Sequence, residues 1–366
     1  MQKVYYERAL YRRETITIKK IRLAVIGTGM AWKRLHWPAI QELGDHYQIV
    51  AVCNKTKSDA VDFAREINLA QENVYDDYKE MLKRGDIDAV DVMVPIPENF
   101  DIYHDIVTAN INLIAEKPLA STMEGAEKLL KLHKKHPVNI MVAENYRYND
   151  EINKIRDIIN QGKIGDVIYF INHNAVDFEN QMTKNTFAAT EWRQHPQFKG
   201  GTFLDAGLHD IAAMRHIFGK VDYVYAMGQP QQEDFSPYIS VNSQIKFSNG
   251  VIGQYSYYTD GKETQRPLIG FRIFGNKGEI YLEERRCGTI NITYRDGGSE
   301  QITYRPERGY FNELLNFYNS LLGNEEIAVT PEVEYGDVKM VFNILKSIKD
   351  NKAYPVDTKT NEISLV

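Results

Sequence analysis

The sequence predicts an α/β chain in two parts: a doubly wound parallel sheet, then an α+β unit built on a large, mainly antiparallel open sheet. Three observations predict it. Residues 21–145 alternate short runs that are apolar on both faces with amphipathic helical stretches, the signature of a parallel sheet covered on both sides. A glycine turn, Gly27-Thr28-Gly29, breaks the first of those runs. After about residue 150 the rhythm changes to long β-rich segments, punctuated by Ser248-Asn249-Gly250, Asn276-Lys277-Gly278 and Asp296-Gly297-Gly298. The expected division is an extension at 1–20, a first unit at 21–145 and a second at 146–366.

Taken in order, residues 1–20 carry Lys3, Arg8, Arg12, Arg13, Lys19 and Lys20 against Glu7 and Glu14, with none of the apolar core of a secretory signal. They read as a surface strand or flexible arm, or as an arm clasping a neighbouring subunit. Strands are expected at 23–26, 49–53, 89–94, 112–115 and 138–143. A helix follows Ser58, with Val61, Ala64 and Ile67 at helical spacing. Another, bearing Leu129, Leu130 and Leu132, follows Ser121-Thr122-Met123-Glu124, which reads as a capping box. A short helix at 151–161 precedes the turn Gly162-Lys163-Ile164-Gly165. Strands are expected at 167–174, 221–228, 240–247, 251–259, 270–274, 279–282 and 289–294. One helix at 202–218 interrupts them, and helices at 310–322 and 334–349 close the chain.

Composition narrows the function classes. The chain has 366 residues, 43% hydrophobic and 26% charged, enough for two domains. Its net charge of −6 does not favour a nucleic-acid surface. No apolar stretch approaches the roughly 18–20 residues that span a bilayer. Cys53 and Cys287 form no disulfide framework, so a reducing, cytoplasmic setting is expected. No clustered His/Cys spacing points to a metal.

Chemistry is suggested at three places. Gly27 permits a tight turn after the first strand, Gly29 lets backbone approach an anion, and the helix beginning at Met30 and Ala31 offers free N–H groups. At a first strand–helix junction this reads as a dinucleotide site, although Trp32 replaces the third glycine of the usual pattern and glycines also end strands for structural reasons alone. Asn54, Lys55 and Thr56 end the second strand, where a ribose would be read. Without a carboxylate they lean to NADP over NAD; a plain turn with a solvated lysine reads equally from the same residues. Lys117 stands at the carboxyl end of another buried strand, where ligands bind in such sheets, or is an ordinary surface lysine. Asp205 and His209 are four apart on one predicted helix, so a carboxylate could orient an imidazole for acid–base work or simply satisfy it in a core.

These motifs, in this order, resemble the glucose–fructose oxidoreductase / inositol dehydrogenase (Gfo/Idh/MocA) family over residues 21–356. The resemblance rests on the GxG turn with His36-Trp37-Pro38-Ala39, Val94-Pro95-Ile96-Pro97-Glu98-Asn99 and Glu116-Lys117-Pro118-Leu119-Ala120. It continues through Ala143-Glu144-Asn145-Tyr146-Arg147-Tyr148, Trp192-Arg193 and Gly200-Gly201 leading into Asp205-x-Gly207-x-His209. It implies an N-terminal Rossmann domain and an enzyme moving hydride between NAD(P) and a carbinol carbon of a sugar, polyol or nucleotide sugar. Lys117, Asp205 and His209 would be catalytic, with the proton acceptor open between Lys117 and His209. Pro95, Asn99 and Glu116 would line the cofactor crevice. Asn145, Tyr146 and Arg193 would join Lys117, Asp205 and His209 around the substrate. Arg147 and Tyr148 would hold the hinge, and His36 and Trp37 would border the nicotinamide pocket. A homodimer or homotetramer through the second sheet is expected. Two other readings within the resemblance are an NAD-dependent glycoside hydrolase and a non-catalytic dinucleotide-binding regulator.

Overall fold

A computed structural model describes residues 19–261 and 270–357. The expected extension at 1–20 lies outside these residues except for Lys19 and Lys20. Among the described residues, six strands form the first sheet: β1 (Ile21–Ile26), β2 (Tyr47–Cys53), β3 (Val74–Tyr75), β4 (Ala89–Val92), β5 (Asn112–Glu116) and β6 (Ile140–Ala143). All neighbours are parallel, in the order β3-β2-β1-β4-β5-β6. This is the doubly wound order whose crevice opens at the strands' carboxyl ends between β1 and β4. Strands that read as apolar on both faces are so because both are covered: Leu23, Ala24, Val25, Leu113, Ile114 and Ala115 have no exposed surface.

The second sheet has nine described strands: β7 (Val167–Ala175), β8 (Val221–Pro230), β9 (Tyr238–Phe247), β10 (Ile252–Tyr258), β11 (Gly270–Gly275), β12 (Gly278–Leu282), β13 (Thr289–Tyr294), β14 (Ser299–Thr303) and β15 (Tyr354–Pro355). Their order is β14-β13-β12-β11-β7-β10-β9-β8-β15, antiparallel except for β7 beside β10. β9 and β10 alternate buried with exposed positions, so one face packs on helices and the other faces out. The outward face carries Tyr169, Met227 and Ile252 exposed.

The structure corrects several expectations. The helix expected at 202–218 is two helices, Gly201–Asp205 and Gly207–Phe218, parted at Ala206 (φ −100°, ψ −40°). Its apolar stripe survives the break, with Leu204, Leu208, Ile211 and Ile217 buried. The helix Met123–His133 is capped by Thr122, whose side chain accepts from the Gly125 N–H, so the Ser121–Glu124 box is not used. The helix Lys57–Glu66 buries Ala64 as expected but adds Ala60 and Phe63, while Val61 and Ile67 are only partly buried against the core. β3, β14 and β15 carried too few apolar residues to be read as strands.

The two sheets are stitched by the end of the chain. The Val142 N–H in β6 donates to the Val329 carbonyl at 2.9 Å, and Tyr47 Oη donates to the Leu314 carbonyl at 2.5 Å. Asp337, on the helix Pro331–Asp350, accepts from two buried guanidinium groups. Arg147 bonds it through Nε at 3.0 Å and Nη2 at 2.6 Å, and Arg215 bonds it through Nε at 2.6 Å. Removing Asp337 leaves Arg147 without its carboxylate, while Arg215 keeps Asp357 at 2.6 Å. Asp337→Ala is expected to lower unfolding stability by about 3–5 kcal/mol in urea titrations; a loss under about 1 kcal/mol would show that the network is not a structural tie.

Candidate active site

A cavity of about 740 Å³ opens where the carboxyl ends of β1, β4, β5 and β6 meet the second unit. Gly27 starts one wall with φ +93°, and a Cβ there would come within 2.3 Å of the Met93 carbonyl oxygen, so only glycine makes this turn. Gly29 faces open space: a Cβ there would meet nothing within 4 Å, and any side chain would project into the cleft that a pyrophosphate needs. Met30 and Ala31 also line the cavity, at a helix start whose first N–H groups have no partner within the helix. Thr28 does not line it; it is buried, with Oγ1 accepting from Asn54 Nδ2 at 3.4 Å.

Trp32, in the place of the third glycine, does not block the turn. The helix opens into a wide turn over Trp32–His36, with the Trp37 N–H bonding the Trp32 carbonyl. The indole is fully buried against Phe63 and Trp37. At the far end lie Asn54, Lys55 and Thr56, but also Asp59, Asp76 and Asp77. Asn54 Nδ2 donates to Asp59 at 3.2 Å, and Lys55 Nζ lies 3.3 Å from Glu98. The donor set fits a dinucleotide: an open glycine cradle at one end and hydrogen-bonding groups for a ribose at the other.

Polar chemistry concentrates at the opposite end. Lys117 leaves β5 through a cis bond to Pro118. Its ammonium donates to the Asp205 carbonyl at 2.5 Å and to Asp205 Oδ1 at 2.8 Å, while Arg193 Nε donates to Asp205 Oδ2 at 2.6 Å. Burial works against the Asp205 charge, but the flanking Arg193 and Lys117 cations more than offset it and hold the carboxyl well below its ordinary range. Lys117, Arg193, Asp205, His209, Asn145, Pro95 and Glu116 all line the cavity, as the sequence led one to expect.

Two pairings differ from expectation. Asp205 does not orient His209, because the break at Ala206 turns the two side chains apart. His209 Nδ1 instead meets Glu144, at 2.7 Å from Oε1 and 2.9 Å from Oε2. Glu144 follows β6 directly and is fully buried. A carboxylate immediately after a buried parallel strand was the signal that could have found it. Burial pushes the His209 imidazole below its ordinary value, and Lys117 and Arg285 push the same way, with Glu144 opposing. Tyr146 does not line the cavity: it stacks behind His209, ring centres 4.4 Å apart and planes 13° from parallel. Phe187, Trp192 and Tyr310, none singled out from sequence as pocket residues, complete the wall.

Other expected residues lie elsewhere. Asn99 is buried, and its Nδ2 donates to the Pro118 carbonyl at 3.0 Å, bracing the turn behind Lys117 rather than the cavity. Trp37 lines a separate groove and donates to Glu66. Arg147 holds Asp337, and Tyr148 Oη donates to Asn316 at 3.0 Å, so both tie the segment just after β6 to the C-terminal helices. His36 is fully buried, with Nδ1 2.7 Å from Asp91 and Nε2 3.3 Å from Glu313 and 3.6 Å from Glu116. Three carboxyls around one imidazole cannot all ionise out of water. Burial pushes both Glu116 and Glu313 up to about 7. A carboxyl whose folded value is raised binds more protons folded than unfolded above its ordinary value of 4.5, so stability falls as pH rises toward about 7. Glu313→Gln is expected to reduce the fall in melting temperature between about pH 5 and 8; parallel curves for variant and wild type would refute the assignment.

Comparison with known proteins agrees with this geometry. Residues 21–144 match the GFO/IDH/MocA family model, described as an oxidoreductase family with an NAD-binding Rossmann fold. Residues 152–281 match the GFO/IDH/MocA C-terminal domain. The chain is similar to a myo-inositol 2-dehydrogenase of Thermotoga maritima, 22% identical over 92% of this chain and 99% of that one. The crystal structure of an oxidoreductase from Thermotoga maritima superposes with a TM-score of 0.79 at 27% identity, over 92% of this chain and 99% of its own. A levoglucosan dehydrogenase in complex with NADH and levoglucosan shares the fold, with a TM-score of 0.82 at 18% identity over 93% and 100% of the two chains. The chain belongs to the GFO/IDH/MocA family of oxidoreductases, with an NAD-binding Rossmann domain ahead of the family's C-terminal domain.

Proposed function

We propose that this protein is a dehydrogenase or reductase acting on a carbinol carbon of a sugar or polyol, with His209 as proton acceptor. The observation that carries the reading is the division of labour at the cavity's end. His209 offers Nδ1 to the Glu144 carboxylate, so the proton sits there and Nε2 keeps its lone pair. Among the described residues Nε2 has no protein partner, and the ring borders the cavity. Lys117 instead spends its ammonium on two oxygens of Asp205, which suits a fixed cation beside a developing alkoxide. The base left open between these two residues is therefore assigned to His209.

When bound, the nicotinamide cofactor accepts or supplies the hydride. Gly27, Gly29, Met30 and Ala31 would hold its pyrophosphate, and Asn54 and Thr56 its ribose. Glu116 and Pro95 border the same cavity nearer Lys117. The three carboxylates Asp59, Asp76 and Asp77 at the ribose end weigh against a 2′-phosphate, and Lys55 is drawn to Glu98. We infer NAD rather than the NADP that Asn54 and Lys55 alone favoured. In oxidation, His209 takes the hydroxyl proton, Lys117 stabilises the oxyanion, and Asp205 with Arg193 keeps Lys117 in place. Phe187 and Trp192 offer flat apolar faces to the C–H side of a sugar ring, and Asn145 offers hydrogen bonds to its hydroxyls. The polyol and anhydrosugar dehydrogenases named above are consistent with that substrate class. The exposed apolar residues on the outer sheet face support assembly into a dimer or tetramer there.

The test is a cofactor-absorbance screen of sugars, inositols and nucleotide sugars with NAD and NADP. On the substrate found, Lys117→Ala and His209→Ala are each expected to lower kcat by about 10²-fold or more while leaving dinucleotide binding intact. Wild-type turnover in both variants would overturn the mechanism.

A further inference from the structure

Arg285 lies in the loop between β12 and β13, far in sequence from every residue assigned a role above. Tyr304 Oη pins that loop by hydrogen bonds with the Glu284 carbonyl at 3.1 Å and the Arg285 carbonyl at 2.9 Å. The guanidinium reaches back across the unit and sits over the Tyr146 ring, with Cζ 4.0 Å from its centre. Among the described residues it makes no ion pair within 4 Å, although the side chain is half-buried.

The other face of Tyr146 is taken by His209, 4.4 Å away and nearly parallel. Two groups at those distances from one ring centre cannot share a face without overlapping. The order is therefore imidazole, phenol, guanidinium, a stack three deep that begins at the cavity and ends at a half-buried cation. A cation–π contact places Arg285 over the ring's negative face, and the ring excludes water between the two charges.

We propose that Arg285 is a positioning residue for the acid–base step, acting through Tyr146 to keep the His209 imidazole neutral and flat against the cavity wall. The proposal rests on the reading of His209 as proton acceptor. It explains how a histidine bonded to a buried carboxylate escapes becoming a permanent imidazolium. Glu144, at the end of β6, favours the charged ring. Burial opposes it most, and Lys117, at the end of β5, and Arg285, from the second sheet, add to that. The remaining ionisable neighbours are accounted for. Asp205 is occupied by Lys117 and Arg193. Asp210 accepts from Asn174 at 2.7 Å and from Tyr255 at 3.0 Å. Glu151 and Tyr310 both interact with the Arg285 charge, and Tyr310 also lines the cavity.

The test reads the His209 imidazole directly, by following its ring-proton resonances against pH in the protein without cofactor. The assignment comes from the His209→Gln spectrum. Arg285→Met is expected to raise the imidazole's midpoint by about 0.5–1 unit, and Arg285→Lys to restore most of the wild-type value. In turnover, the acidic limb of the kcat/KM profile should move to higher pH by the same amount in Arg285→Met. Should that variant fail to fold, Arg285→Gln reads the same loss of charge. An unmoved midpoint in a folded neutral variant would overturn the proposal. Because the titration needs no substrate, a shifted midpoint in a protein that turns over no carbinol would sustain the tuning and instead refute the dehydrogenase reading.

Discussion

The structure depends on one buried carboxylate held between two cations. Asp205 belongs to the second unit, and its partner Lys117 belongs to the first. Desolvating three charges is costly, and the arrangement persists only because each oxygen of Asp205 is matched to a donor. The pair of Glu144 and His209 repeats the plan with the signs exchanged: the first unit supplies the anion and the second supplies the group that can become a cation. At the cavity, Lys117–Asp205 and Glu144–His209 each take one member from each unit. The site exists only where the two are docked.

That requirement gives meaning to the polar ties found away from the cavity. Asp337 gathers Arg147 and Arg215, the Val142 N–H extends to Val329, and Tyr47 reaches Leu314. Val142 and Tyr47 tie β6 and β2 to the C-terminal segment, and Asp337 ties Arg147, just beyond β6, to Arg215 on the helix Gly207–Phe218. A misplacement of about 1 Å between a nucleophile's proton and its acceptor costs orders of magnitude in rate. Residues remote from the cavity are in this sense part of its geometry. Asn99 is a local instance: expected in the crevice, it braces the backbone behind Lys117 instead.

Most of the fold was legible in the sequence, because a doubly covered parallel strand and a half-covered antiparallel strand leave different hydrophobic periods. β3 and β15 escaped because two residues make no period, and β14 because it alternates only intermediate with exposed positions. The site was legible residue by residue but not in its pairing. Lys117, Asp205 and His209 could be placed by motif and by their positions at element ends. The partnership of Asp205 with His209 assumed an unbroken helix, whereas the chain breaks at Ala206 between Gly201–Asp205 and Gly207–Phe218. Glu144 and Arg285 find their partners through tertiary contact alone, which no local spacing encodes. The proposal of NAD draws on the same kind of contact: Asp59, on the helix after β2, lines the ribose end together with Asp76 and Asp77 from the loop after β3.

The central claim is that Glu144, and not Asp205, sets the proton affinity of His209. The most direct measurement compares the pH dependence of kcat/KM in Glu144→Gln and Asp205→Asn. Loss of the Glu144 charge should let the imidazole shed its proton more readily and carry the acidic limb to lower pH. Loss of the Asp205 charge should slow turnover by freeing Lys117 and Arg193 while leaving that limb where it stands. A limb that moves in Asp205→Asn and stays fixed in Glu144→Gln would contradict the account.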